Sequence, residues 1–284
     1  MDGTVMQTDE FKVFVDGLDH PECVACGPDG YVYAGGEAGQ VYRIDFASGA
    51  CQQVGATGGF TLGVTLDASG NIYTCDLNLH QVMRMTRDGS VSVYSDGSPG
   101  RKMRTPNYAV FDRAGRLYVS DSGEFGKNDG CLFCIHPGRR TVMVSDRQAA
   151  FPNGMALGPR GDELYIVLST RPGVGKVALH DDGSVGEPQD VVELPRTVPD
   201  GVAFDEEGAL YISCYAPNHI YRLAPSGKLD LLVSDWMNTT LPAPTNLAFC
   251  GPDRRTLVVA GLSRWHITRA QVAVPGLALI YPEL

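Results

Sequence analysis

The chain lacks several things, and each absence excludes something. No apolar run in its 284 residues approaches the roughly 20 needed to cross a bilayer as a helix. Its first residues, MDGTVMQTDEFKVFVDG, are acidic and carry no continuous apolar stretch of the kind a secretory signal needs. Positive charge is scarce: 23 Lys and Arg against 33 Asp and Glu give a net charge of −10. Such a chain repels phosphate backbones, so nucleic acid is not an expected partner, nor is a membrane. Long helical periodicity and linker-like segments are also missing. These absences predict a cytoplasmic protein that meets a small molecule, as a monomer or weak homo-oligomer.

What is present points to one large folded unit. Hydrophobic residues make up 43% and charged residues 20%, enough for an extensive core. Eight cysteines include two CxxC pairs, Cys23 with Cys26 and Cys131 with Cys134. Both pairs fall in apolar runs that read as strands, PECVACG and GCLFCIHP. Residues i and i+3 of a strand face opposite sides, so neither pair can share one metal without a turn between its members. Buried free thiols are the expectation, ahead of a zinc site or a disulfide.

The sequence repeats. PDGVAFDEEGALYIS from Pro199 aligns with PECVACGPDGYVYAG from Pro21, TLGVTLDASGNIYTC from Thr61 and PNYAVFDRAGRLYVS from Pro106. PNGMALGPRGDELYIV from Pro152 and TNLAFCGPDRRTLVVA from Thr245 align with one extra residue in the turn. The second residues of the six copies are Glu22, Leu62, Asn107, Asn153, Asp200 and Asn246, at intervals of 40, 45, 46, 47 and 46 residues. Two further apolar strands follow most copies, punctuated by Gly, Asp, Asn and Pro. Four short strands per repeat make a propeller blade. The expected fold is therefore all-β, a single six-bladed propeller of four-stranded antiparallel blades over residues 1–284. FKVFVDG at residues 11–17 is expected to complete the last blade, whose third strand is expected in GLALIYP. Closure of that kind leaves no exposed edge between the first and last blades.

The first strand of each blade lines a propeller's channel, so the six second-position residues are expected to ring one mouth. Glu22, Asn107, Asn153 and Asp200 are oxygen donors, Asn246 is a fifth candidate, and Leu62 breaks the ring. Two carboxylates with amide carbonyls suit Ca²⁺, with Mg²⁺, Mn²⁺, Fe²⁺ or Zn²⁺ as alternatives; no Cys or His belongs to the ring. Each residue alone is an ordinary turn residue. Buried together at equivalent positions, they would need a cation or other partners. Loops expected at the same mouth carry Asp76, His80, Asp121, Glu124, Arg171, Tyr215, His219, Arg264, Trp265 and His266 as candidate pocket walls. A divalent cation there would polarise a carbonyl, and a neighbouring carboxylate would accept a proton from water.

HPECVACGPDGYVYAG, TPNYAVFDRAGRLYVSD, FPNGMALGPRGDELYIV and VPDGVAFDEEGALYIS together resemble the gluconolactonase, regucalcin and senescence-marker-protein family of six-bladed propellers, over nearly the whole chain. The resemblance implies a divalent cation held by Glu22, Asn153 and Asp200, with Asn107 on metal or substrate. It gives Asp200 the general-base or nucleophile role, and implies hydrolysis of lactones or organophosphates. The chain also departs from the family pattern. Thr105 stands where the family often has Arg, Tyr108 where it has Asp, and Cys23-Val24 where it has Gly-Pro. The loss of that Arg, with Tyr108 and Leu62 nearby, suggests a substrate less polar than a sugar lactone or differently shaped.

The leading expectation is a divalent-metal-dependent lactone or ester hydrolase. Asp200 is its catalytic residue, and Asn107, Tyr108, Thr105, Glu124, Arg171, His219 and Trp265 are its substrate-contact candidates. The alternatives are a calcium- or small-molecule-binding propeller without catalysis and an organophosphate hydrolase. A strictosidine-synthase-type propeller fits worse, because Glu22, Asn153 and Asp200 are intact.

Overall fold

A computed structural model describes residues 5–284. Alternating apolar residues over three to seven positions, ended by positive-φ glycines such as Gly30, Gly70, Gly115 and Gly208, make hairpin after hairpin. Six four-stranded antiparallel sheets result, and no α-helix occurs among the described residues. The innermost strands are Val24–Cys26, Thr61–Leu66, Pro106–Phe111, Pro152–Leu157, Val198–Phe204 and Pro244–Cys250, and each begins a blade.

The last blade closes the ring. Lys12–Val15 pairs antiparallel with Ile267–Gln271 and so supplies its outermost strand, as expected from the sequence. The third strand is Ile267–Gln271 rather than GLALIYP. Only a short loop separates Ile267 from Gly261, the end of the preceding strand, so this segment takes the hairpin position first. GLALIYP instead runs as a strap beneath the channel. Gly276 bridges Asp205, Leu277 N donates to Phe204 O (2.8 Å), and Ala68 N donates to Pro282 O (3.0 Å).

The core consists of six apolar slabs, each between the facing surfaces of neighbouring blades. One joins Tyr73 and Val82 to Phe111 and Val119; another joins Ile166 and Leu168 to Tyr118 and Leu132. The Tyr of the repeated LY element recurs in these slabs. Tyr73 meets Phe111 edge-on at 5.0 Å, Tyr165 meets Phe204 at 4.8 Å, and Tyr211 meets Phe249 at 4.9 Å. Each such pair contributes about 0.5–1.5 kcal/mol beyond its buried area.

The cysteines follow the strand geometry with one exception. Cys131 and Cys134 are both buried, but in different slabs on opposite faces of blade 3. Cys23 is a buried free thiol, whereas Cys26 forms a disulfide with Cys250 across the seam between blades 1 and 6. The expectation of buried free thiols therefore holds for Cys23, Cys131 and Cys134 and fails for Cys26. Ring closure juxtaposes the ends of two innermost strands that lie 224 residues apart in the chain.

Candidate active site

The mouth residues sit on β-bulges. Each innermost strand from blade 2 to blade 6 slips register at its start: between Thr61 and Val64, Pro106 and Tyr108, Pro152 and Met155, Pro199 and Val202, and Pro244 and Asn246. A bulge leaves a residue unpaired and re-aims its side chain. The unpaired positions hold Leu62, Asn107, Asn153, Asp200 and Thr245, while Glu22 precedes the short strand of blade 1.

Blade 6 therefore differs from the sequence alignment by one residue. Thr245 occupies the ring position and Asn246 is the paired residue after it, opposite Ala260. The cause lies in the turn. Phe249 pairs with Leu257, eight positions on, whereas Phe204 pairs with Leu210, six positions on. The extra length is two residues, not one.

Hydroxyl groups staple the mouth from behind. Ser120 Oγ donates to Asn153 O (2.8 Å), Ser169 Oγ to Pro199 O (2.7 Å), Ser213 Oγ to Thr245 O (3.1 Å) and Thr245 Oγ1 to Glu22 O (2.6 Å). Each bond crosses from one blade to the next and is buried. The strands also approach closely. A Cβ on Gly154 would lie 2.7 Å from Gly201 Cα, and one on Gly201 would lie 2.6 Å from Thr245 O. The PNG and PDG glycines are thus fixed by the close approach of the neighbouring blade.

Glu22, Asn107, Asn153 and Asp200 are all buried at the mouth. Burial pushes the Glu22 carboxyl well above the usual carboxylate range, and the Asp200 charge raises it further. Burial likewise pushes Asp200 up to about 8, partly offset by a hydrogen bond from the Asn153 side chain. Among the described residues, no basic side chain opposes either shift. Asn153 Nδ2 also donates to Ser169 Oγ (3.3 Å), which leaves its carbonyl oxygen available. Tyr108 lines the channel, and its phenol is pushed up to about 12 by burial, against the Asn246 side chain and with Cys23, Cys75 and Glu22 adding to the rise. Asn246 Oδ1 is buried without a hydrogen-bond partner among the described residues.

This donor set fits a hard divalent cation. Two buried like charges are costly unless a positive charge neutralises them. All the donors are oxygen, as Ca²⁺ prefers. A second cluster on the rim, Asp19, His20 and Glu37, is differently occupied. Asp19 accepts from Ala38 N (3.0 Å) and Gln40 Nε2 (2.9 Å), and His20 Nδ1 lies 3.0 Å from Glu37. It clamps the loops that lead to Glu22.

The remaining candidates divide. Thr105 Oγ1 donates to Gly123 O (2.8 Å), shaping the loop beside Asn107. Trp265 is 55% exposed and lies against His20, with ring centres 5.7 Å apart, beside the residues leading to Glu22. His219 is half-buried and meets the Tyr221 hydroxyl (3.1 Å); burial holds its imidazole below its ordinary value. Glu124 is exposed and pairs with Lys127 (3.1 Å). Arg171 turns along the outside of blade 4 to Asp190 on the outermost strand, so it is not aimed into the mouth. Asp76 and Asp121 are spent on backbone N–H groups, of Phe60 and Leu79 and of Arg104, Thr105 and Gly123 respectively, so they organise loops and are not free for a ligand.

Comparison with known proteins gives a consistent picture. The model of the SMP-30/gluconolactonase/LRE-like region matches residues 36–263, and a strictosidine synthase-like N-terminal model matches only residues 13–44. The chain is 24% identical over 248 residues to diisopropyl-fluorophosphatase of Loligo vulgaris, covering 79% of this chain and 77% of that one. It is 25% identical over 272 residues to 6-deoxy-6-sulfogluconolactonase of Pseudomonas putida, covering 85% and 86%. A calcium-binding protein, regucalcin of Agrobacterium tumefaciens, superposes with a TM-score of 0.82 at 15% identity over 99% of both chains.

Proposed function

Because the chain belongs to the SMP-30/gluconolactonase/LRE-like family, we propose that it is a divalent-cation-dependent hydrolase of a lactone or related ester. The observation that carries this reading is the buried pair Glu22 and Asp200, both raised by burial with no basic side chain among the described residues to balance them. Glu22, Asn107, Asn153 and Asp200 would hold the ion. Calcium is the ion we favour, from the all-oxygen donors and the calcium-binding relative. When bound, the cation supplies charge that keeps both carboxyls ionised and polarises the substrate carbonyl.

The chain's own residues do the rest. Asp200 accepts a proton from water as the water oxygen bonds to the carbonyl carbon. The ring C–O bond then breaks, and the proton passes from Asp200 to the departing oxygen, giving a hydroxy acid. Asn153 orients Asp200 through its hydrogen bond. Tyr108 offers an aromatic wall where a carboxylate would grip a sugar hydroxyl, and Thr105 offers no positive charge. These two favour a lactone with an apolar substituent over an aldonolactone.

The match to diisopropyl-fluorophosphatase over 79% of the chain supports a second reading, with a phosphotriester in place of the lactone. We read the substrate as a freely diffusing small molecule and the protein as a cytoplasmic monomer or weak oligomer. Six free cysteines favour that location, whereas the Cys26–Cys250 bond favours an oxidising one.

The test is a hydrolysis screen on metal-stripped protein, with Ca²⁺, Mg²⁺, Mn²⁺, Fe²⁺ and Zn²⁺ returned singly. Aldonolactones, alkyl-substituted lactones and phosphotriesters make up the panel. Cation-dependent turnover that is fastest on alkyl lactones supports the proposal. A tightly bound cation without turnover on any of them would sink it in favour of a binding propeller.

A further inference from the structure

The channel contains a second space, away from the carboxylates. It measures about 200 Å³ and lies among the lower halves of the innermost strands. Its walls include Val64, Val110, Met155, Ala203 and Phe249, from five different blades. Tyr108 belongs to its lining as well, so the ring that borders the polar mouth also borders this chamber. Its polar side chains are Thr65, Tyr108, Arg113 and Tyr281; Arg113 is exposed to solvent, and the Tyr281 hydroxyl is spent on Cys26 O.

The strap at residues 277–281 closes the far end. It is anchored on both sides. Gly276 N donates to Arg254 O (2.8 Å) and Leu277 N to Phe204 O (2.8 Å) under blades 5 and 6. Tyr281 Oη donates to Cys26 O (2.9 Å) and Pro282 O accepts from Ala68 N (3.0 Å) under blades 1 and 2. Gly276 presses on Phe249, where a Cβ would come within 2.0 Å of the Phe249 Cβ. Ala278, Leu279 and Ile280 span the opening between these anchors, and Leu279 is 50% exposed.

A water molecule is stable in a cavity only with about two to four polar partners, and an apolar cavity of roughly 150 Å³ stays dry and takes up benzene. Apolar side chains dominate the chamber walls, so few such partners are on offer. We infer that the lower channel is a binding site for a small, uncharged hydrophobic molecule of about benzene size, admitted by displacement of the 278–280 span. The site borders the proposed reaction site at Tyr108 but does not depend on that reaction. Its readouts involve no turnover, so failure here leaves the hydrolase reading untouched, and the converse also holds.

The full-length protein serves for the test. Benzene is the solution probe, followed by calorimetry and by the thermal unfolding midpoint; xenon under pressure is the crystallographic probe. Saturable one-to-one benzene binding, a rise in the midpoint and a xenon site between Val110 and Ile280 are expected. Ala203→Leu and Ala156→Leu fill the space and should weaken benzene binding at least tenfold, with cation binding at the mouth unchanged. No saturable benzene binding together with no xenon in the chamber overturns the inference, as does wild-type affinity in both folded variants. If the variants do not fold, xenon in the wild-type crystal decides by itself.

Discussion

Carboxylates sit at both ends of the innermost strands, and the two ends treat them oppositely. At the lower end, Asp67, Asp112 and Asp205 are as buried as any residue in the ring. Each is fully employed. Asp67 accepts from Asn71 N (2.9 Å) and the Tyr73 hydroxyl (3.0 Å). Asp112 accepts from Arg116 N (2.9 Å) and Arg116 Nε (2.6 Å), and Asp205 from Ala209 N (2.8 Å) and Arg222 (3.0 Å). Backbone amides and guanidinium groups replace the lost water, and the turns are locked. At the mouth, Glu22 and Asp200 are buried beside one another, and a single amide offsets the burial of Asp200. Burial alone therefore does not separate the locked carboxylates of the turns from the proposed cation ligands at the mouth. What separates them is whether the fold itself supplies the compensating charge.

Substitutions at the two ends should break different properties. Asp200→Asn keeps the shape of the mouth and removes the proton acceptor. Turnover on the best substrate from the panel should fall by about 10²–10⁴-fold, with the circular dichroism spectrum unchanged. Activity within tenfold of wild type would remove Asp200 from the mechanism. Met155→Ala opens a cavity in the buried lining of the lower channel. Denaturant unfolding should show a loss of about 2–5 kcal/mol, while cation affinity stays the same. A cation affinity that fell with stability would mean the two ends are not separable. Ser213→Ala removes an interblade staple that also accepts from Gly201 N (3.1 Å). It should cost about 1–3 kcal/mol in the same assay, because buried partners lose their bond. Arg171→Ala removes an exposed ion pair facing away from the mouth. KM and kcat should each stay within about twofold; a large rise in KM would place the Arg171 loop over the mouth in solution.

The fold was readable because its signals repeat. The PDG-to-LYIS unit recurs six times, and strand alternation with glycine turns leaves little freedom once the blades close on themselves. Glu22, Asn107, Asn153 and Asp200 were readable for the same reason, as one position seen in several copies. Thr245 was not, because two extra residues in the blade 6 turn moved the register while the residues still looked aligned. The Cys26–Cys250 bond joins positions 224 residues apart, and a CxxC spacing draws attention to the wrong partners. The strap under the channel reads locally as a strand because it is apolar and extended like one. Its polar backbone groups meet strand ends on opposite sides of the ring, a long-range fact that no local pattern holds. The loop candidates Asp76, Asp121 and Arg171 had the right residue types, but their partners were already in place.

The central claim is that a divalent cation supplies the charge missing from the mouth, and its most direct test is thermal unfolding of the metal-stripped protein across pH. The folded-state pKa values of Glu22 and Asp200 lie above those of ordinary carboxyls, with Asp200 near 8. Their contribution to stability is therefore fully present below about pH 4 and is lost as pH rises toward 8. The unfolding midpoint of the stripped protein should fall between pH 5 and pH 8.5, and by less in Asp200→Asn. Millimolar Ca²⁺ at pH 8.5 should restore it in the wild type and not in the variant. A midpoint indifferent to Ca²⁺ at pH 8.5, or raised equally in wild type and Asp200→Asn, would contradict the account.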